Sequence, residues 1–296
     1  MRKPLLSLLA ALTLISGGAC GKHRAGDRPL VGVTLPAGTD AFSQALERGM
    51  RQAADSLRLD LRIVVAQSDA GRQTAQVDSF IDERVDAIVI APVNSNDIVS
   101  AIEAANRANI PVFTSAIASD GGVVVAHVAS DHRQGGQLVG AYIGRRLGGG
   151  GNVVILDQPT VSSVRDRVAG FREALRAFPN IRVLASPAVD GGSRDLAKQR
   201  TNNLLATGQK IDAVFGTNDE SALGALAAIQ AAGRTDMIVV GYDARPEGAL
   251  VAAAVQDPVA IGRRTIEAVA ARLRGESVPP VVPVPVGLVE RDSLRP

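Results

Sequence analysis

From residue 30 onward, short apolar runs alternate with segments whose apolar positions recur every three or four residues. The short runs are typical of strands and the longer segments of helices. The predicted strands lie at 30–35, 61–66, 87–91, 111–115, 123–128, 152–156, 182–187, 213–215, 237–240 and 251–255. The first predicted helix has its apolar positions at Phe42, Leu46, Met50, Ala53 and Leu57. Strands that are apolar throughout belong to a parallel sheet covered on both faces, so the pattern predicts a doubly wound α/β fold.

The alternation of strand and helix occurs twice, and four glycines at 148–151 separate the two halves. This glycine run predicts a loop, because a dinucleotide-binding glycine loop would follow a strand, whereas this one precedes a strand. The tail at 278–293 is rich in proline. Proline cannot donate to the ladder of a central strand, so we expect the tail at a sheet edge or in a crossover.

The segment 211–245 predicts a βαβ unit whose two strands each end in polar residues. Asn218 and Asp219 follow the first strand, and Asp243 follows the second. Ligands of open α/β sheets bind at the carboxyl ends of the strands, so these residues indicate a binding crevice. Two other interpretations stay open: Asn218 or Asp219 caps the next helix, and Asp243 belongs to a turn.

Residues 1–20 have the three parts of an export signal. Arg2 and Lys3 are basic, residues 5–15 are apolar, and small residues lead to Cys20. The apolar run is short for a membrane span. The stretch before Cys20 looks like a lipobox, although Gly17 stands where leucine is typical. We therefore expect export with lipidation of Cys20, and an ordinary signal peptide is the alternative.

The single cysteine excludes an internal disulfide, so the fold depends on its apolar core. Residues 1–19 carry Arg2 and Lys3 and no acids, which leaves 30 basic and 30 acidic residues in the processed chain. This balance gives no argument for nucleic acid or anionic lipid as a partner. The polar residues 21–28 are expected to form a tether.

Several segments together resemble the periplasmic sugar-binding proteins of ABC transporters, specifically the ribose-binding type. The resemblance covers nearly all of 29–290 and is carried by ANIPVF, VVVAHVASDH, SSVRDRVAGF, AVFGTNDESALGALAAIQAAG, VVGYDARPEG and AAAVQDPVAIG. It implies two Rossmann-like lobes, each with a doubly wound parallel sheet, joined by a three-segment hinge that closes over a ligand. The implied N-lobe comprises 29–130 and 257–285, and the implied C-lobe comprises 131–256 and 286–296.

The resemblance implies a sugar or polyol ligand, no cofactor, no metal, no catalytic residue and a membrane permease as partner. It assigns ligand contacts to Arg167, Asn218, Asp243 and Gln256. These residues suit a polyol, because hydroxyls both donate and accept and the four side chains provide both kinds of group. Phe42 matches one of two stacking aromatics in the first loop.

The N-lobe departs from the family pattern. An Asp-Arg pair of the family corresponds to Ala116 and Ile117, and an asparagine corresponds to Ala91. In the C-lobe another aromatic of the family is replaced by Gly191. The positions at which the chain could make alternative contacts are Thr39, Asp40, Ala91, Asn94, Thr114, Ser115 and Ala116. The sequence therefore leaves the identity of the ligand open.

Three other classes of function compete with transport. A regulator of the same fold would begin with a basic DNA-binding domain, whereas this chain begins with an export signal. An enzyme could use the carboxylates of Asp219, Glu220 and Asp243, but roles as cap, surface and ligand residues fit them better. His127 and His132 could act as a metal site or general base, but a packing or solvent role fits them better. A monomeric ligand sensor that reports to a membrane receptor stays open.

Overall fold

The computed structural model describes residues 28–243 and 248–294. Its first lobe contains a six-stranded parallel sheet in the order β11-β5-β4-β3-β1-β2. The strands are β1 (Leu30–Leu35), β2 (Asp60–Val65), β3 (Ala87–Ile90), β4 (Val112–Ser115), β5 (Ala126–Ser130) and β11 (Val281–Val284). The helices are α1 (Ala41–Leu57), α2 (Ala70–Glu83), α3 (Val99–Arg107) and α8 (Pro258–Leu273).

The second lobe repeats this order as β12-β10-β9-β8-β6-β7. Its strands are β6 (Gly150–Leu156), β7 (Asn180–Ala185), β8 (Ala213–Gly216), β9 (Ile238–Tyr242), β10 (Leu250–Val255) and β12 (Gly287–Glu290). Its helices are α4 (His132–Arg146), α5 (Ser162–Leu175), α6 (Arg194–Ala206) and α7 (Asp219–Ala231), with short 3-10 turns at Asp190–Gly192 and Arg291–Leu294. Pairing is parallel except between β10 and β12. The predicted fold class is confirmed.

Helices cover both faces of each sheet. In the first lobe α1 packs against α8 and α2 against α3, while in the second lobe α4 packs against α5 and α6 against α7. Apolar clusters fill the four spaces between sheet and helices. Because helices cover both faces of each sheet, the central strands are apolar throughout.

Helix starts are fixed locally by side-chain caps. A side-chain oxygen accepts from a backbone N–H three residues on at Asp40, Asp69, Asp131, Ser193, Asn218 and Asp257. Each cap satisfies one of the N–H groups that the first turn of a helix leaves without an internal partner. These caps lie directly after strands or short loops, so they aim several helix N-termini toward the same edge of the sheet.

The close contact between α4 and α5 depends on two glycines. A Cβ at Gly136 would lie 2.0 Å from the carbonyl oxygen of Arg167, and one at Gly170 would lie 2.0 Å from that of Arg133. Real side chains do not reach such distances, so the helices approach only because both positions lack a side chain. This contact sets the position of Arg167 on α5.

The chain passes between the lobes at three places: after β5, after β10 and between β11 and β12. The proline-rich tail supplies β11 and β12, which are both edge strands, as its composition predicts.

Two local expectations need correction. The predicted strand at 123–128 begins only at Ala126, because the backbone N–H and C=O of Val123 bond to the side chain of Asn106 at 2.8 and 2.9 Å. The glycine run predicted to be a loop is one only in part, since β6 begins at Gly150.

Candidate functional site

A cavity of about 330 Å³ lies between the lobes. Its lining comes largely from residues that follow β1, β3 and β4 in the first lobe and β6, β8, β9 and β10 in the second. Both sheets therefore direct their carboxyl ends into one cleft, which is where ligands of open α/β sheets bind.

The second lobe provides the polar side of the cleft, with Val161 and Val164 at the start of α5 as its apolar lining residues. We call the following polar residues the polar wall: His132, Gln158, Arg167, Asn218, Asp243 and Gln256. The first lobe provides the apolar wall, which consists of Pro36, Ala37, Ala91, Val93, Ala116 and Ile117. Phe42 and Leu46 of α1 extend this apolar surface.

Arg167 is the buried cation of the polar wall, with 6% of its surface exposed. Its Nη1 donates to the carbonyl oxygen of Thr217 at 2.6 Å, and its Nε donates to Nδ1 of His132 at 3.3 Å. Its Cζ lies 3.6 Å from the ring centroid of Tyr242, which places the charge over the aromatic face. These contacts come from three elements and fix the guanidinium plane before any ligand binds.

Contacts on both ring nitrogens fix the tautomer of His132. Its Nε2 donates to the carbonyl oxygen of Ala116 at 3.2 Å, so Nδ1 is left to accept from Arg167. Burial, together with the positive charge of Arg167, lowers the pKa of His132 well below its usual 6.5. The imidazole is therefore neutral at pH 7 and acts as a positioning group between the lobes.

Asn218 caps a helix and also lines the cleft. Its Oδ1 accepts from the backbone N–H of Ser221 at 2.7 Å and caps α7, while its Nδ2 donates to the carbonyl oxygen of Gly192 at 3.3 Å. A Cβ at Gly192 would lie 2.1 Å from this nitrogen, so only glycine leaves room for the amide. The amide thus has a fixed orientation at the cleft.

Asp243 and Gln256 form a pair across β9 and β10. Oδ1 of Asp243 accepts from the backbone N–H of Gln256 at 2.9 Å, and Oδ2 accepts from Nε2 of Gln256 at 2.5 Å. The backbone of Asp243 has φ 62°, in the left-handed region that aspartate tolerates better than most residues. The pair presents a carboxylate and an amide at the ends of two neighbouring strands.

Two further carboxylates line the cleft beside the polar wall. Glu220 is engaged by Arg194 through two hydrogen bonds of 2.7 and 2.9 Å. Burial raises the pKa of Asp219, and the neighbouring charges of Glu220 and Asp243 act in the same direction. This side of the cleft therefore presents three carboxylates beside the buried Arg167.

The rim of the cleft is bridged by hydrogen bonds between the lobes. Oγ of Ser162 accepts from the backbone N–H of Ala118 at 2.9 Å, and the N–H of Ser162 donates to Oγ of Ser95 at 2.9 Å. Arg165 forms an ion pair with Asp120 across the same rim. The N-terminus of α5 thus joins the lobes beside the cavity.

Residues 31–277 match the sequence model of the periplasmic binding protein domain. The chain belongs to this family. The ribose import binding protein of Escherichia coli is 35% identical, and the alignment covers 97% of this chain and 98% of that protein. Both the sequence and the two-lobed architecture therefore place the cleft in a family of binding proteins.

Solved structures of the family agree with this placement. An ABC transporter solute binding protein from Bacillus halodurans, with bound myo-inositol, superposes with a TM-score of 0.81 at 28% identity, covering 91% of this chain and 97% of its own. The fructose binding periplasmic domain of a hybrid two component system superposes with a TM-score of 0.82 at 26% identity, covering 90% and 91%.

The structure brings most of the predicted contacts to the cleft. The predicted residues that line it are Asp40, Phe42, Ala91, Ala116, Arg167, Asn218, Asp243 and Gln256. Asp40 also caps α1, since its Oδ1 accepts from the backbone N–H of Ser43 at 2.8 Å. That these residues bind a ligand is taken up below as a proposal.

Several candidate contacts from the first lobe lie outside the lining. Oγ of Ser115 lies 3.1 Å from Oγ1 of Thr265, because side chains alternate along β4 and this one faces α8. Oγ1 of Thr114 lies 2.9 Å from Nδ1 of His127. Thr39 is exposed, and Asn94 bonds to Asp97 at 2.5 Å. Cys20 falls outside the described residues.

Sequence reasoning missed His132 and Gln158 as lining residues. Gln158 lies just past the end of β6, so the strand-end rule that identified Asn218 would have found it as well. His132 lies at the same offset from the end of β5, but the rule would not have revealed its contacts with Arg167 and with Ala116 of the other lobe.

Within residues 28–243 and 248–294, no group of three or more His, Cys, Asp or Glu side chains is arranged to hold a metal ion. The helices in the same residues are all too short or too polar to cross a bilayer.

Proposed function

We propose that this protein is the extracytoplasmic solute-binding component of an ABC transporter and that it holds a sugar or polyol in the interlobe cleft. The polar wall carries the proposal. A polyol presents neighbouring hydroxyls that donate and accept, and the wall offers a fixed guanidinium, three amides, an imidazole and a carboxylate. Arg167 donates, Asp243 accepts, and Asn218 and Gln256 do both.

The relatives support this class of ligand. One is a ribose import binding protein and another was solved with bound myo-inositol, and both molecules are small and carry hydroxyls on most carbons. The cavity of about 330 Å³ lies at the small end of the range for ligand pockets, roughly 300–1,000 Å³, and suits a single sugar ring. Binding without chemical conversion is the activity that we propose.

We infer that the three passages between the lobes act as a hinge. A ligand would first engage the polar wall in an open cleft, and rotation about the hinge would bring the apolar wall over it. The rim bonds of Ser162 and the ion pair of Arg165 with Asp120 would then hold the lobes together. The closed monomer would be the form that the membrane permease recognises.

We also propose that the protein is exported and anchored through a lipid on Cys20, with 21–28 as the tether. The test is fractionation of cells that express the full chain or Cys20→Ser. The full chain should sediment with membranes and the variant should be released into the soluble envelope fraction. Release of both proteins would contradict the anchor and leave export intact.

A sensor role is the second candidate, and the likeness to the periplasmic domain of a two component system favours it. Ligand binding and closure would be the same in both roles, and only the membrane partner would differ. Deletion of the gene separates them: loss of ligand uptake indicates transport, whereas normal uptake with lost gene induction indicates sensing.

The ligand is tested by thermal unfolding of the purified protein in the presence of pentoses, hexoses, polyols, nucleosides and amino acids. A ligand at about a hundred times its Kd stabilises the native state by roughly 2.7 kcal/mol, which raises the Tm by several degrees. A sugar or polyol should give such a shift in the wild type. A shift with amino acids or nucleosides alone would contradict the proposal.

Asp243→Asn is the matched variant. Asparagine tolerates the positive φ and keeps an oxygen for the N–H of Gln256, but it loses the charged acceptor. The ligand-induced shift should vanish while the Tm without ligand changes little. A large fall in the Tm without ligand would instead identify Asp243 as a structural turn residue.

A further inference from the structure

The two walls of the cleft would meet opposite sides of a bound ligand, and they differ in what they offer it. From the first lobe the polar lining side chains are Asp40 and Ser43, both at the start of α1. Oδ1 of Asp40 caps α1, so only its Oδ2 is left to accept from a ligand, and Ser43 is 3% exposed. The remaining surface on this side is the apolar wall with Phe42 and Leu46.

Backbone groups of the apolar wall after β3 are also engaged within the protein. The buried side chain of Gln73 donates from Nε2 to the carbonyl oxygen of Ala91 at 2.8 Å, and its Oε1 accepts from the N–H of Val93 at 2.8 Å. The N–H of Ala91 donates to Thr34 at 2.9 Å. These groups are therefore not free to bind a ligand hydroxyl.

Backbone groups of the apolar wall after β4 are also bonded within the protein. The N–H of Ala116 donates to the carbonyl oxygen of Val128 at 2.9 Å, and its own carbonyl oxygen accepts from Nε2 of His132. The N–H of Ile117 donates to Ser115 at 2.7 Å. A hydroxyl that closure turned toward this wall would lose water and find few partners, which is unfavourable, whereas a methyl or methylene group would gain by burial.

We propose that the preferred ligand is a deoxygenated sugar or polyol, with its hydroxylated edge on the polar wall and a methyl or methylene group against the apolar wall. This inference rests on the proposed function and narrows it. A 6-deoxyhexose has the required form, since its C6 methyl group replaces a hydroxymethyl group. The aldohexose with that hydroxyl would bury it beside Ala91, Val93 and Ile117.

The expected discrimination follows from the chemistry of the wall. A hydrophobic pocket rejects an added hydroxyl by up to about a hundredfold. We therefore expect the better deoxy sugar to bind roughly tenfold to a hundredfold more tightly than its parent. The preference should be a property of the first lobe, because the polar wall contacts the hydroxyls that both sugars share.

The test is isothermal titration of the purified protein with sugars that differ by one oxygen atom. Suitable pairs are D-fucose with D-galactose, L-rhamnose with L-mannose, and 5-deoxy-D-ribose with D-ribose. In at least one pair the deoxy member should bind at least tenfold more tightly. If the deoxy sugar binds less than tenfold more tightly than its parent in every pair, the inference fails and the proposed function stands. If none of these sugars binds and no sugar or polyol raises the Tm in the thermal unfolding test, the proposed function fails as well.

A matched pair of variants locates the preference. Val93→Thr replaces a methyl group of the apolar wall by a hydroxyl of similar volume, and Val123→Thr makes the same change at a valine that is 71% exposed and outside the lining. Val93→Thr should reduce the ratio of deoxy to parent affinity by about threefold or more, and Val123→Thr should leave it unchanged. An unchanged ratio in Val93→Thr would overturn the assignment to this wall.

Discussion

Ala116 and Asp243 occupy the same place in the two lobes. Each is the first residue after the fourth strand of its sheet in chain order, and φ is 64° at Ala116 and 62° at Asp243. Aspartate is one of the residues that tolerate this conformation, whereas alanine has no side-chain group to compensate for it. The backbone geometry is repeated in both lobes, but only the second lobe places a polar side chain there.

The other strand ends show the same difference. Gln158, Asn218 and Gln256 follow strands of the second lobe, whereas Ala37 and Ala91 follow strands of the first. The common strand order provides two equivalent edges, and the side chains decide what each edge binds. We infer that the second lobe provides the polar contacts to the ligand and that the first lobe covers it.

Arg167→Met should have the largest effect on ligand affinity, because it removes the buried cation of the polar wall. Methionine keeps the length of the side chain but removes the donors, so the affinity should fall by about 2–5 kcal/mol, or roughly thirtyfold to several thousandfold. Val93→Ala, on the apolar wall, should reduce affinity by no more than about tenfold. Titration calorimetry of both variants measures the contrast.

Arg133→Met is the control for Arg167→Met. Arg133 lies in α4, pairs with Glu173 of α5 and is exposed, so its loss should leave the affinity unchanged. Equal losses in Arg133→Met and Arg167→Met would mean that the helix pair, and not the guanidinium in the cleft, sets the affinity.

The histidines on either side of the first passage between the lobes offer a second comparison. Burial lowers the pKa of His127 from 6.5 to about 4, so the folded state resists protonation that the unfolded chain accepts below pH 6.5. The stability from His127 is complete above pH 6.5 and falls as the pH drops toward 4, by on the order of 3 kcal/mol. His132 acts in the same direction, since its pKa is also lowered.

His127→Gln should flatten the pH dependence of stability between pH 7 and 4.5, measured by denaturant unfolding. His132→Gln should flatten it too and should also weaken ligand binding, because His132 contacts Arg167. Burial raises the pKa values of Asp166 and Asp219, so these groups stabilise the folded state as the pH falls, in the opposite direction to the histidines. Both aspartates are present in both variants, so their contribution does not change. A slope in His127→Gln equal to that of the wild type would refute the role of His127.

The sequence predicts the fold well because local patterns encode it. The apolar runs, the helical spacing and the residues after the strands give the order of elements, and they also lead to Asn218 and Asp243 at strand ends, whereas Gln256 is assigned only by the family resemblance. The strand predicted from Val123 begins too early, because the backbone of Val123 is bound by Asn106, which lies in α3, 17 residues earlier.

The cleft is predicted less completely, because several of its contacts join residues that are far apart in the chain. The place of His132 depends on a carbonyl group of the other lobe, and the rim bonds of Ser162 join residues 44 and 67 positions apart. Ser115 is predicted as a possible ligand contact but lies outside the lining. Its position at the end of an apolar run does not show which face of the sheet its side chain takes. Contacts between lobes and the face of a strand end are set by tertiary packing, which a local pattern does not contain.

Ser162→Ala tests whether the rim bonds hold the lobes together. It removes an acceptor for the N–H of Ala118 and a donor to its carbonyl oxygen, and the net loss should be about 1 kcal/mol. A less populated closed form should raise the apparent Kd about fivefold, mainly through faster dissociation. Stopped-flow dissociation measures this effect.

Ser193→Ala is the matched serine variant, since Ser193 caps α6 away from the rim. It should lower the free energy of unfolding by about 1 kcal/mol and leave the dissociation rate unchanged. If Ser162→Ala dissociated no faster than the wild type, the rim bonds would have no part in closure.

The smallest change is expected in the free energy of unfolding of a variant at Ala116. Glycine adopts φ 64° without the steric conflict of a Cβ, so Ala116→Gly should raise the free energy of unfolding by roughly 0.5–1 kcal/mol. Ala91, at the end of β3, is not among the residues with positive φ, and Ala91→Gly should lower it by a similar amount because glycine gains freedom in the unfolded chain. If the turn at Ala116 is strained, denaturant unfolding should show changes of opposite sign in the free energy of unfolding of the two variants. Equal losses would show instead that alanine is accommodated at 116 without strain, and that the backbone alone does not favour aspartate at this point of the fold.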